Sequence, residues 1–146
     1  MHPAIFTFGY TGQSIDALHR FINQHDALLI DVRYNPTSRV PTWRMSTLVK
    51  RFGDRYHHLP SLGNTRYRLG PPITLADPDI GLRELLTLLD RGHPLILMCA
   101  CPDARTCHRT VIAQMLHERG LPTRELALTD PPAPLFDETE PPAPSH

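Results

Sequence analysis

The run Leu95-Ile-Leu-Met98 limits what this chain can fold into more than any other stretch. It is continuously apolar, too short for a helix, and bracketed by Pro94 and Pro102, which is the pattern of a buried strand. A second run, Ala27-Leu-Leu-Ile30, leads into Asp31-Val-Arg33. Unbroken apolar strands suit a parallel sheet covered on both faces, whereas half-exposed strands alternate. Around these runs lie stretches with helical period. Ile15, Leu18, Phe21 and Ile22 follow Ser14, a good N-cap, with Asp16 in the first turn; Leu82, Leu85, Leu86 and Leu89 follow a capping Asp79 and end at Gly92; Val111, Ile112, Met115 and Leu116 end at Gly120. Weaker strand signals fall at 4–8, 56–60 and 124–128, and a short helix at 47–52 is capped by Ser46. Strands and helices alternate. The expected fold class is therefore α/β: a single three-layer domain, with a mainly parallel sheet of four or five strands and helices on both faces.

The 146 residues suffice for one domain with a sizeable core. The expected division is a domain at 1–129 and a disordered tail at 130–146, because the tail carries six of the 16 prolines, four acids and no Lys or Arg. The net charge of zero conceals this asymmetry: with the tail's four acids set aside, 11 acids face all 15 basic residues. Between residues 33 and 68 there are eight basic side chains (Arg33, Arg39, Arg44, Lys50, Arg51, Arg55, Arg66 and Arg68) against Asp54 alone. No run is long enough to span a membrane, and Met-His-Pro-Ala-Ile has no signal pattern. The expected location is the cytoplasm, where cysteines are thiols, metal ligands or redox groups before they are structural disulfides.

The chemistry concentrates between 99 and 109. All three cysteines, Cys99, Cys101 and Cys107, lie there, with Arg105, His108 and Arg109. The stretch reads as the end of a strand, a tight loop and a helix start, with Thr106 as N-cap. The unpaired N–H groups and dipole of a helix start attract anions and favour thiolates. Cys99 or Cys107 is the candidate nucleophile, His108 the acid or base, and Asp31 a further catalytic candidate near the same strand ends. The candidate anion-binding set is Gly9, Tyr10, Thr11, Arg33, Ser38, Arg39, Arg105 and Arg109, since ligands of open α/β sheets bind at the C-terminal ends of the strands. Arg109 has two candidate partners, a phosphate or Asp31. Three readings stay open. One is an enzyme acting on a phosphate- or sulfur-bearing substrate through a reactive Cys. The second is a module for nucleic acid or nucleotide, with Tyr10, Trp43 or Tyr67 stacking on bases and the Cys-His-Arg corner clasping the helix start to Asp31. The third is a metal or redox site from Cys99, Cys101, Cys107 and His108, or a Cys101–Cys107 disulfide. The expected partner is an anionic small molecule or a nucleic acid, not a membrane; the identity of any cofactor is not readable from the sequence.

Cys99-x5-Arg105 has the spacing of tyrosine-phosphatase-like loops, and the strand–Cys–loop–helix layout, together with Leu29-Ile-Asp-Val-Arg33, resembles rhodanese-like domains. Over residues 4–120 the chain resembles the "domain of unknown function 488" family. The resemblance rests on Gly9-Tyr-Thr11, Asp31-Val-Arg33 with Pro36 and Ser38, Leu62-Gly63, Cys99-Ala100 and Cys107-His-Arg109. It implies a small α/β domain whose motif residues gather at one end of the sheet, and it implies no particular reaction. Two positions depart from the family pattern: Tyr10 stands where a His is usual, and Cys101 where an acid is usual.

Overall fold

In the computed structural model, residues 2–70, 72–100 and 107–128 are described. Among them nine elements alternate: β1 (Ile5–Gly9), α1 (Ile15–His25), β2 (Leu28–Asp31), α2 (Met45–Phe52), β3 (Tyr56–His58), α3 (Pro78–Leu89), β4 (Leu95–Cys99), α4 (His108–His117) and β5 (Arg124–Glu125). The strands form one sheet in the order β3-β2-β4-β1-β5, and every pairing is parallel. The α/β class read from the unbroken apolar runs is the observed one. No helix among the described residues is long and apolar enough to cross a membrane.

The sheet separates two cores, and side-chain alternation along the strands assigns each residue to one of them. Leu95, Leu97 and Cys99 of β4 pack with Leu28 and Ile30 of β2 against Leu82, Leu85 and Leu89 of α3 and Ile112 and Leu116 of α4. Ile96 and Met98 of β4 turn the other way with Leu29 and Phe8, against Leu18 and Ile22 of α1 and Leu48 and Phe52 of α2. This accounts for the apolar run at 95–98: β4 is central and covered twice. It also fixes where a site belongs. The helices after β1 and β2 lie on one face and the helix after β4 on the other. The chain end of β4 therefore opens at a topological switch point on both its sides, where ligands of open sheets sit.

Several boundaries differ from the sequence expectation. Helix α3 is capped by Asp77, which accepts from the Ile80 N–H at 3.2 Å, and not by Asp79. Pro78 explains the shift, because its ring presets φ for the first helical position and it has no N–H to lose. Helix α2 starts at Met45, so Ser46 lies inside it; the 3₁₀ turn Pro41–Trp43 runs almost straight into the helix and leaves no capping position for Ser46. The N-cap of α4 is Cys107, with φ −113° and ψ 146°, so His108 opens the helix. Thr106, the expected cap, and the tail after 128 lie outside the described residues.

Gly63 fits where no side chain does: a Cβ built on it would overlap the backbone N and Cα of Tyr34. Gly63→Ala is expected to lower stability by at least about 3 kcal/mol, the upper range for overpacking against atoms that cannot turn away, read as a lower urea midpoint at unchanged slope.

Candidate functional site: a thiol cluster and a carboxylate clasp

Four side chains meet at the end of β4 on the α3/α4 face. Cys99 is the last residue of β4 and Cys107 caps α4, and their sulfurs stand 2.7 Å apart. No disulfide joins them among the described residues. The Arg109 guanidinium donates from Nη1 to Cys99 Sγ at 3.1 Å. Its other face forks onto Glu125, Nε to Oε1 at 3.2 Å and Nη2 to Oε2 at 3.0 Å. Burial would lower the Arg109 pKa, but Cys99, Glu125 and Cys107 outweigh it and hold the group above the ordinary arginine value. Arg109 is thus a permanent, almost fully buried cation aimed at a sulfur.

His108 has a defined tautomer. Its Nε2 lies 2.7 Å from the Val32 carbonyl oxygen, which can only accept, so Nε2 carries a proton. Nδ1 then faces Cys107 Sγ at 3.7 Å, and in the neutral ring it offers a lone pair there.

The second cluster lies mainly on the α1/α2 face. The Asp31 carboxylate is completely buried. Its Oδ1 accepts from Arg33 Nε at 2.8 Å and from the Arg33 backbone N–H at 3.2 Å, and its Oδ2 accepts from Arg33 Nη2 at 2.6 Å and from the Tyr56 hydroxyl at 2.5 Å. Arg33 Nη1 donates to the carbonyls of Trp43 at 2.8 Å and Thr37 at 3.3 Å. Burial would lower the Arg33 pKa, yet Asp31 and Tyr10 raise it above the ordinary value; burial, then Asp31, push the Tyr56 hydroxyl up. These bonds lock the 34–44 loop to the sheet.

The structure therefore divides the sequence-derived set. Cys99, Cys107, His108 and Arg109 come together. Asp31 and Arg33 pair with each other at the strand ends, joined to the thiol cluster through the Val32 carbonyl. Arg109 does not pair with Asp31, whose oxygens Arg33 and Tyr56 occupy; it pairs with Glu125. The His108 clasp correspondingly ends on Val32, not Asp31. Gly9 ends β1, and Thr11 donates its hydroxyl to the Ala100 carbonyl, tying the β1 and β4 loops. Tyr10 and Trp43 are buried and stacked on each other, with centroids 4.8 Å apart, so neither is presented for base stacking as expected. Tyr67 is exposed beneath Arg68. Ser38 accepts from the Val40 N–H in a local turn beside exposed Arg39. Cys101 and Arg105 lie outside the described residues.

Sequence reasoning missed Glu125, Thr7 and Tyr56. Pairing of β5 with β1 sets Glu125 opposite Thr7, whose hydroxyl donates to Glu125 Oε1 at 2.6 Å. The only signal in sequence was an acid at the edge of a weak strand.

On ligand type, Cys99, Cys107 and His108 could hold a soft metal, their donor atoms all lying within 4.8 Å of one another. Zinc–thiolate bonds of about 2.3 Å at a tetrahedral angle set two sulfurs roughly 3.8 Å apart. The 2.7 Å observed is well short of that, so a metal would have to push the sulfurs apart.

Residues 73–120, about a third of the chain, match the family model described as "DUF488-N3a: Active DUF488-N3 subclade". The chain resembles the DUF488 family. The matched DUF488 segment runs from before α3 to the end of α4 and includes Cys99, Cys107, His108 and Arg109. No curated protein and no solved structure matches the chain.

His57, on edge strand β3, lines a concavity of about 350 Å³ with His58, Glu84 and Thr87. Its Nε2 is buried without a hydrogen-bond partner among the described residues. Burial first, then Arg91, lower its pKa from the ordinary 6.5, against a smaller opposing pull from Asp54. The folded state then binds fewer protons than the unfolded state near pH 6, so stability should fall as pH drops below about 6.5. His57→Gln is expected to flatten that part of a pH series of unfolding midpoints.

Proposed function

We propose that the protein is an enzyme acting through the Cys99 sulfur on a small anionic substrate that bears sulfur or phosphorus. The observation that carries this reading is the Arg109 Nη1 to Cys99 Sγ hydrogen bond of 3.1 Å. A buried guanidinium at that distance favours thiolate over thiol, and the thiolate is the nucleophile. Three further points support it. The sulfur sits at the switch point of the sheet. A base, His108 Nδ1, adjoins the second thiol. The matched subclade is described as active.

The test is a pH titration of thiolate ultraviolet absorbance on the full chain, which needs no reagent to reach the buried sulfur. One thiolate present at neutral pH and missing from Cys99→Ser is expected. Three thiols that ionise only near the ordinary value of about 8.5, with no difference in Cys99→Ser, would overturn the reading.

A further inference from the structure

We propose that Cys99 and Cys107 form a dithiol–disulfide couple whose substrate is the disulfide of a small thiol. This deepens the reading above and rests on Cys99 being the nucleophile. The two sulfurs are 2.7 Å apart, shorter than a zinc site places them and longer than the about 2.05 Å of a disulfide bond. Closing the pair therefore needs a shift of well under an ångström. Both sulfurs are buried among the same apolar side chains, so a bound group on Cys99 meets Cys107 before it meets water.

The neighbours give the two thiols different roles. Arg109 donates to Cys99, which favours its thiolate. His108, protonated at Nε2 by its bond to Val32, presents Nδ1 to Cys107 and can take its proton. The Cys99 thiolate attacks one sulfur of the substrate, R–S–S–R. A Cys99–S–S–R bond forms, and the substrate S–S bond breaks with loss of RS⁻. Cys107 passes its proton to His108 Nδ1 and attacks Cys99 Sγ. The intramolecular disulfide forms, and the second RS⁻ leaves and collects the proton from His108. The substrate gains two electrons and the cysteine pair loses two. An external dithiol restores the reduced pair by the reverse exchange.

The probe is 5,5′-dithiobis(2-nitrobenzoate), an anionic aromatic disulfide whose leaving thiolate is coloured. It is added to the full reduced chain in a Cys101→Ser background, because Cys101 is a third thiol in the same stretch. Two equivalents of coloured thiolate per chain are expected, with no retained adduct mass. Trypsin should then yield the peptide 92–105 linked to the peptide 106–109, since cleavage after Arg91, Arg105 and Arg109 separates Cys99 from Cys107. With Cys107→Ser, one equivalent and a stable adduct on Cys99 are expected; Cys107→Ala, checked for native circular dichroism, should behave alike. An adduct that persists with Cys107 present overturns the couple but leaves Cys99 as nucleophile. Failure to label Cys99 in the Cys107 variants overturns the couple, and failure together with a missing Cys99 thiolate absorbance overturns both readings. One equivalent of zinc held by the purified chain, and loss of the two-equivalent release when it is bound, overturns the couple in favour of a metal centre.

Discussion

Asp31→Ala is expected to destabilise the protein by about 3–5 kcal/mol, enough to unfold many domains of this size. The carboxylate is wholly buried and accepts from four donors: the Arg33 Nε and Nη2, the Arg33 backbone N–H, and the Tyr56 hydroxyl. Its removal leaves a guanidinium with a side-chain exposure of only 6% facing an empty space. A buried cation without its anion is the costly case; the intact pair itself is close to neutral against an apolar pair of the same volume. The test is accordingly urea unfolding of Asp31→Ala, Arg33→Met and the apolar double variant Asp31→Leu with Arg33→Met. Each single change should be severe, and the double change should recover a large part of the loss. If the single change at Asp31 cost under about 1 kcal/mol, the carboxylate would have to be replaced by water, and the clasp would not hold the loop as described.

This clasp changes what two conspicuous residues mean. In sequence, Asp31 and Arg33 at the end of an apolar strand look like a base and an anion binder. In the folded chain they satisfy one another. Charged residues next to a strand end are legible from sequence, but whether they face a ligand or each other depends on partners 10 to 25 positions away, Trp43 and Tyr56 here. The same limit applies to Arg109. Its fork closes on Glu125, 16 residues on, and only the pairing of a two-residue edge strand with β1 brings that acid near. By contrast, the sheet was legible because it rests on local patterns: the apolar runs at 27–30 and 95–98 and the helical stripes of α1, α3 and α4 state burial directly. The proximity of Cys99 and Cys107 fell between these cases. Their strand-end and helix-start positions were readable, while the closeness of the two sulfurs follows from the alternation of β4, which turns Cys99 toward α4.

Arg109→Met should separate reactivity from stability, in contrast to Arg33→Met. Both changes replace a buried guanidinium with an uncharged chain of similar length, and both break a fork to a carboxylate. The partners differ in exposure: Asp31 is at 0%, whereas the Glu125 side chain is at 46%. Once Arg109 is gone, Glu125 turns to water and keeps its Thr7 bond, so the ion-pair part of the cost is small, on the scale of an exposed pair at about 0–1 kcal/mol. Cys99 is buried. It loses the donor at 3.1 Å, and a hydrogen bond to a charged group is worth about 1.5–3 kcal/mol, or roughly a ten- to hundredfold change in an equilibrium. The sign follows from the charge: removing a cation disfavours the thiolate, so its ionisation constant should fall by about that factor and its absorbance should appear only at correspondingly higher pH. Release of coloured thiolate at pH 7 should slow, while the urea midpoint moves far less than for Arg33→Met. If Arg109→Met left the thiolate titration unchanged and lowered only the midpoint, Arg109 would be a packing residue and the Cys99 nucleophile would lose its physical basis.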